Sequence, residues 1–232
     1  MDKNDKLHDI RHSLAHLLAA AVLKKYPKAK LGIGPVIEDG FYYDFGVKEN
    51  FTPEDLAEFE ASMREMIVAK LPFKKVALKP AELKKFFAGQ PFKKELHEEL
   101  KGNPSTSSGI TFYATGEIFT DLCRGGHVGN TSEIDPVSFK LDKIAGAYWK
   151  GNEKNPQLQR VYGLAFNSKK ELDEYIARRA EAMKRDHRKL GKDLNLFALV
   201  DEIGPGLPLF YPKGALLRRE IENYIIELQE RR

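Results

Sequence analysis

The chain has one cysteine and one tryptophan in 232 residues, and no apolar run approaches the ~20 residues of a membrane-spanning helix. A lone cysteine excludes an intrachain disulfide, which suits a reducing compartment, and a cytoplasmic location is expected. The opening run Met1-Asp2-Lys3-Asn4-Asp5-Lys6 is polar and has no apolar core of a secretory signal. Excess charge of one sign is also scarce. Lys and Arg number 38 against 34 Asp and Glu, a net charge of +4, which permits a nucleic-acid partner without requiring one. No internal repeat or low-complexity tract stands out. What remains is ordinary globular composition, 42% hydrophobic and 31% charged, enough for a sizeable core.

Leu7, Ile10, Leu14, Leu17, Leu18, Ala21 and Val22 recur at helical spacing until Pro27 ends the run. Leu31 to Phe45 reads as a hairpin turning at Glu38-Asp39-Gly40. Thr52-Pro53 starts a helix that runs to about Lys70. Phe73 to Leu78 reads as a strand, Pro80 to Ala88 as a short helix, and Lys101 to Gly109 as a polar loop. Two short strands surround Thr115-Gly116, and further strands fit Val137 to Leu141, Gly146 to Trp149 and Gln159 to Ala165. Ser168 begins a charged helix toward Lys189, Gly204 to Pro208 forms a stiff turn, and a last helix runs from Leu216. Strands in the middle with helices at both ends imply an α+β fold.

Two residue pairs carry the chemical signal. His12 and His16 lie in Arg11-His-Ser-Leu-Ala-His-Leu-Leu18, where i, i+4 spacing puts both imidazoles on one helix face. Cys123 and His127 lie in Asp121-Leu-Cys-Arg-Gly-Gly-His127, at a strand end. A single HxxxH is weak evidence in a chain with six histidines. Its coincidence with the only cysteine, four residues before a histidine in a glycine-rich turn, is much less so. Three imidazoles and a thiol suit a tetrahedral zinc site, and they equally suit positioning and deprotonating a water. Asp121 shares a strand face with Cys123 if the strand is regular.

These segments resemble the bacterial threonyl-tRNA synthetases. The matching runs are His12-Ser-Leu-Ala-His16, Ile33-Gly-Pro-Val-Ile-Glu-Asp-Gly-Phe-Tyr-Tyr-Asp44, Asp121-Leu-Cys-Arg-Gly-Gly-His-Val128, Ala145-Gly-Ala-Tyr-Trp-Lys-Gly151 and Arg185-Asp-His-Arg-Lys-Leu-Gly-Lys192. The first and third would also fit alanyl-type editing domains and their free-standing relatives. The resemblance implies a tRNA editing domain of the threonyl/alanyl type over residues 1–185, a mixed or antiparallel sheet with helices, its linker helix beginning near Ser168. Residues 186–232 would be linker and the first strand and helix of a class II catalytic domain. The arginine-bearing motifs that hold ATP are not found; Leu217-Arg-Arg-Glu220 opens a helix where a strand is needed. ATP, Mg and Zn are expected only for that catalytic domain, and no cofactor is expected for editing. One residue departs from the family pattern: Gly126 stands where Pro is usual, which implies a looser turn.

By the same resemblance, His12, His16, Cys123 and His127 line the editing pocket, and His16, His127 or both position or deprotonate the attacking water. Asp121 binds the substrate's ammonium or hydroxyl group, or else accepts hydrogen bonds at a strand end. Lys93 aligns with an editing lysine, with Lys94 as its competitor. Tyr43 and Asp44 border the substrate, although alone they would be read as half-buried strand residues. Cys123 is expected as a pocket wall more than a nucleophile. Alanyl-type sites bind zinc through this pattern and threonyl-type sites work without it, so no metal is expected; zinc, if bound, would take His12, His16, Cys123 and His127. The implied partner is the acceptor end of tRNA(Thr), with no membrane, and the implied reaction is hydrolysis of Ser-tRNA(Thr). Full-length synthetases of the family are homodimers, and the apolar face from Leu216 to Leu228 is expected to need a cover. The competing readings are a free-standing zinc-dependent trans-editing deacylase and a non-catalytic RNA-binding module with structural zinc. The cationic end of the helix from Ser168, with Arg178, Arg179, Lys184, Arg185, Arg188 and Lys189, either contacts phosphates or is a solvated face.

Overall fold

The structure, a computed structural model, describes residues 3–101, 111–200, 202–204 and 206–231. The chain divides into two compact units, one ending at Leu172 and one beginning at Asp173. Residues 102–109 of the expected polar loop, Pro205 of the expected stiff turn, and Ile110 and Asp201 lie outside the described residues.

The first unit is organised around helix α1 (Lys3–Lys25). Its sequence shows an apolar stripe, yet every residue from Ser13 to Val22 is buried, so this half of the helix is enclosed on all sides. It lies against a five-stranded antiparallel sheet of β1 (Lys30–Leu31), β2 (Val36–Ile37), β3 (Gly40–Gly46), β7 (Phe139–Tyr148) and β8 (Gln157–Ala165). The sheet order is β1-β3-β8-β7, with β2 also on β3. Phe41, Tyr43 and Phe45 alternate along β3 and join Leu14, Leu17 and Leu18 in one core. Helix α2 (Pro53–Val68) adds Phe59 and Met63 to that core. It starts at a capping box in which Thr52 Oγ1 accepts from Asp55 N at 3.3 Å and Thr52 N donates to Asp55 Oδ2 at 2.7 Å.

A three-stranded antiparallel sheet, β4-β5-β6, comprises β4 (Phe73–Val76), β5 (Thr111–Thr115) and β6 (Phe119–Cys123). Between β4 and β5 lie α3 (Pro80–Ala88) and α4 (Pro91–Lys101). Helix α4 was not read from the sequence, because its Lys-Lys-Glu and His-Glu-Glu runs hide a stripe of only Phe92 and Leu96. The α+β class and the antiparallel sheets agree with the sequence reading. Two expected strands, Val137 to Leu141 and Gly146 to Trp149, are instead one strand, β7, whose register against β8 shifts between Leu141 and Lys143. The expected helix from Ser168 to Lys189 is also two: α5 (Lys169–Lys184) and α6 (His187–Asp193). Asp186 interrupts it by taking the N-cap role, its carboxylate accepting from Arg188 N at 2.8 Å.

The second unit holds the remainder of α5, α6, a two-stranded ribbon of β9 (Phe197–Leu199) and β10 (Pro208–Phe210), and helix α7 (Pro212–Glu230). Leu216, Leu217, Ile221, Tyr224, Ile225 and Leu228 on α7 are exposed. Among the described residues no helix is long and apolar enough to cross a membrane.

The β3–β8 pairing depends on Gly40. A Cβ there would stand 1.9 Å from the Gly163 carbonyl oxygen, a backbone atom that cannot rotate away. We expect Gly40→Ala to cost at least about 1–3 kcal/mol, as overpacking does. Gly89→Ala, which would meet nothing within 4 Å, should stay within about 0.5 kcal/mol of the parent. Chemical denaturation followed by circular dichroism measures both, and equal stabilities would refute the assignment.

Candidate functional site

A cavity of about 510 Å³ opens in the first unit where α1, β3, α4 and the end of β6 meet. Its lining includes His12, His16, Tyr43, Lys93, Asp121 and Cys123, with His8 and Arg124 also on its wall. Five of the eight residues singled out from the sequence therefore share a cavity with the second histidine of the HxxxH pair, and His127 adjoins them. Its ring lies 4.1 Å from that of His12 and 4.3 Å from that of His16, centre to centre.

Asp121 sits at the cavity's base, 1% exposed. Its carboxylate takes Lys93 Nζ at 2.8 and 2.9 Å, the Tyr43 hydroxyl at 2.5 Å and the Leu122 amide at 2.8 Å. Burying a carboxylate without such partners is prohibitive, so the cluster is self-consistent only as a whole. Tyr43 resists ionisation, its phenol pushed well above the ordinary value by burial and by the neighbouring Asp121 charge. Lys94 instead points away, 61% exposed and 3.8 Å from Glu98, so of the two lysines it is Lys93 that lines the cavity. Asp44 does not reach the cavity. Strand alternation turns it to the face opposite Tyr43, where it pairs with Arg160 at 2.6 and 2.9 Å.

The histidines are held by their neighbours. His12 Nδ1 donates to the Gly126 carbonyl at 3.1 Å; a carbonyl can only accept, so the neutral ring carries its lone pair on Nε2. His127 stacks on Phe73, with ring centres 4.9 Å apart and planes 8° apart. Its Nε2 lies 3.2 Å from Cys123 Sγ and its Nδ1 3.2 Å from Ser13 Oγ. His16 is fully enclosed; its Nε2 is 4.0 Å from Asp121 Oδ2, and its Nδ1 has no hydrogen-bond partner. Burial lowers the pKa of all three imidazoles, well below the ordinary value for His16 and His127. Each is neutral near pH 7. Burial likewise pushes the Cys123 thiol up to about 12.

Gly125 and Gly126 have φ of +90° and +82°. Proline is locked near −65° and cannot take the conformation of Gly126. The bond from His12 attaches this turn to α1.

In kind and number the donors of His12, His16, Cys123 and His127 fit a tetrahedral zinc ion. Their ligand atoms spread up to 4.8 Å, against edges of roughly 3.3–3.8 Å around a tetrahedral ion, so they would have to close in. An ion held by all four would have no open position, and only one held by three of them would carry and acidify a water.

Sequence reading missed Ser13 and Phe73. Ser13 was visible as the polar residue between the histidines, on a helix whose neighbours are apolar. Phe73 gives no local signal, since its stacking on His127 joins residues far apart in sequence. On α5 and α6, Arg185 pairs with Glu181 at 3.0 Å and Arg188 with Asp186 at 2.7 Å, the pattern of a solvated charged face.

Lys93 and Asp121 make a falsifiable pair. We expect Lys93→Met to destabilise the chain by about 3–5 kcal/mol, because it strands a buried carboxylate. Adding Asp121→Asn should recover part of that loss. Equilibrium urea unfolding of the three proteins decides, and additive losses would argue against the coupling.

Residues 110–162 match the family described as the threonyl and alanyl tRNA synthetase second additional domain. A threonine–tRNA ligase of Gloeobacter violaceus is 47% identical over 230 residues, covering 98% of this chain and 36% of the relative. One from Dehalococcoides mccartyi is 48% identical over 227 residues, covering 97% and 38%. One from Citrifermentans bemidjiense is 50% identical over 222 residues, covering 95% and 34%. The chain thus spans a little over a third of the length of such relatives. Along nearly its whole length this chain is similar to a part of these threonine–tRNA ligases, and within it residues 110–162 match the second additional domain of the threonyl and alanyl tRNA synthetases.

Proposed function

We propose that this chain is the editing module of a threonine–tRNA ligase, hydrolysing the 3′-terminal ester of mischarged Ser-tRNA(Thr). The observation that carries the reading is the cavity itself. Neutral imidazoles converge there with a buried carboxylate already bonded to a cation and a phenol. Its volume of about 510 Å³ falls in the range of small-ligand sites. The need for such a site follows from magnitudes. Serine lacks one methyl of threonine, and a missing methyl yields only about 1–3 kcal/mol of discrimination in a synthetic pocket.

In this reading Asp121, whose lone pairs are already taken, holds Tyr43 and Lys93 at the wall of the pocket that receives the seryl group. A water attacks the ester carbonyl, an imidazole takes its proton, and the ribose oxygen leaves with a proton. Residue roles follow from which nitrogens are free. His12 offers the lone pair of Nε2 and His16 an unengaged Nδ1 that is itself buried, whereas both ring nitrogens of His127 are hydrogen-bonded. The base is therefore His12 or His16, which keeps one of the two residues favoured from the sequence and replaces the other. Cys123, its thiol protonated at neutral pH, serves as a wall. The chemistry runs without metal in this reading. The tRNA acceptor end is the partner. Ligation is not proposed for this chain, which has no ATP-binding arginine motif.

The purified chain should hydrolyse Ser-tRNA(Thr) faster than Thr-tRNA(Thr). Either His12→Ala or His16→Ala should slow that hydrolysis by about 10²–10⁴-fold. Parent rates in both variants would remove them from the base role, and hydrolysis absent in the parent would sink the reading. Cooperative thermal melting and hydrolysis should both survive exhaustive chelation. Loss of either, restored by zinc, would favour a metal-dependent deacylase or, if only folding responds, a structural zinc module.

A further inference from the structure

Ser13 has no part in the chemistry described above, yet it is completely buried beside it. Its Oγ accepts a hydrogen bond from Val128 N at 3.1 Å and lies 3.2 Å from His127 Nδ1. Among the described residues it makes no other hydrogen bond. A hydroxyl has one proton to give. The Val128 amide can only donate, so it cannot receive that proton, and Nδ1 of His127 is the remaining acceptor. A buried hydroxyl proton left unpaired would be costly.

We propose that Ser13 is a positioning residue that fixes the tautomer of His127, holding the ring's single proton on Nε2. The inference deepens the deacylase reading and rests on it for its consequence in catalysis. With Nδ1 occupied by the serine hydroxyl, Nε2–H points toward Cys123 Sγ, 3.2 Å away, and the sulfur is the acceptor. His127 is thereby kept from acting as a base, its one N–H held on Cys123 Sγ and its one lone pair on the Ser13 hydroxyl. The ring cannot exchange its two nitrogens by turning over. It is clamped between Phe73, with planes 8° apart, and His12, with planes 25° apart. The choice of tautomer is therefore left to the groups at the ring's two ends. Ser13 also ties the turn to the helix, because the same oxygen holds the amide of the residue that follows His127. One side chain on α1 thereby sets both the place and the protonation pattern of a histidine 114 residues away.

The test is ¹⁵N NMR of the full chain labelled at histidine, at neutral pH, where protonated and bare ring nitrogens resonate far apart. In the parent, His127 should be a single Nε2–H tautomer. Ser13→Ala should give a mixture of tautomers and lower kcat for Ser-tRNA(Thr) by about tenfold, with KM unchanged. Ser13→Thr, which keeps the hydroxyl, should restore both. An Nδ1–H tautomer in the parent would overturn the proposal. So would a folded Ser13→Ala protein whose His127 stays wholly Nε2–H. If Ser13→Ala does not fold, the parent spectrum alone decides. Failure of the deacylase reading is distinguishable, since the parent would then show no hydrolysis while the tautomer change persisted.

Discussion

A buried carboxylate, Asp121, constrains this molecule more than any other single group. It comes from β6 of the three-stranded sheet and reaches Tyr43 on β3 of the five-stranded sheet and Lys93 on α4. An ionised carboxylate away from water is tolerable only when its lone pairs are filled, and here the Leu122 amide fills one more. Three elements are thereby tied to one point, and the cavity is the space around it. The cluster is weak evidence of net stability, since paired buried charges often do no better than apolar packing. It is strong evidence that one arrangement is favoured, since a shift of any partner leaves a charge or a phenol unpaired.

The imidazoles follow a second constraint. Burial beside α1 desolvates them, wholly at His16 and in part at His12 and His127, so they are neutral and their behaviour is set by hydrogen bonds and not by charge. The Gly126 carbonyl decides the proton of His12, and the partners at both ends of His127 engage that ring completely. A neutral, oriented imidazole is what abstracting a proton from water requires. The left-handed turn at Gly125 and Gly126 belongs to this arrangement, because it aims the Gly126 carbonyl at His12. A proline at position 126 could not take this backbone and so could not present the same carbonyl to His12.

The fold was legible where a signal was local. Helix α1, the capping box at Thr52, and the strands flanking Gly116 all follow from spacing within a few residues. Helix α4 was missed because its apolar stripe is two residues wide, and β7 was divided because the bulge near Asp142 breaks the alternation. The helix from Ser168 was drawn too long because Asp186 reads as one more charged residue on a charged face. Only its hydrogen bond to the Arg188 amide reveals a cap.

For the site, the sequence by itself determined which chemical groups are present: two histidines on one helix face, a thiol and a histidine at a strand end, and an aspartate sharing the thiol's strand face. These follow from 3.6-residue and 2-residue periodicities, which hold wherever the elements end up. Which lysine pairs with Asp121, whether Asp44 or Tyr43 faces the cavity, and which nitrogen of each histidine is free were decided only by the tertiary structure. Lys93 and Lys94 are adjacent and chemically identical. One is buried because α4 turns that position toward β6. Tyr43 and Asp44 are adjacent on a strand and must face opposite ways, but the side on which the core lies is set by where α1 packs. The proton positions depend on contacts between residues more than a hundred apart in sequence, which no local pattern encodes.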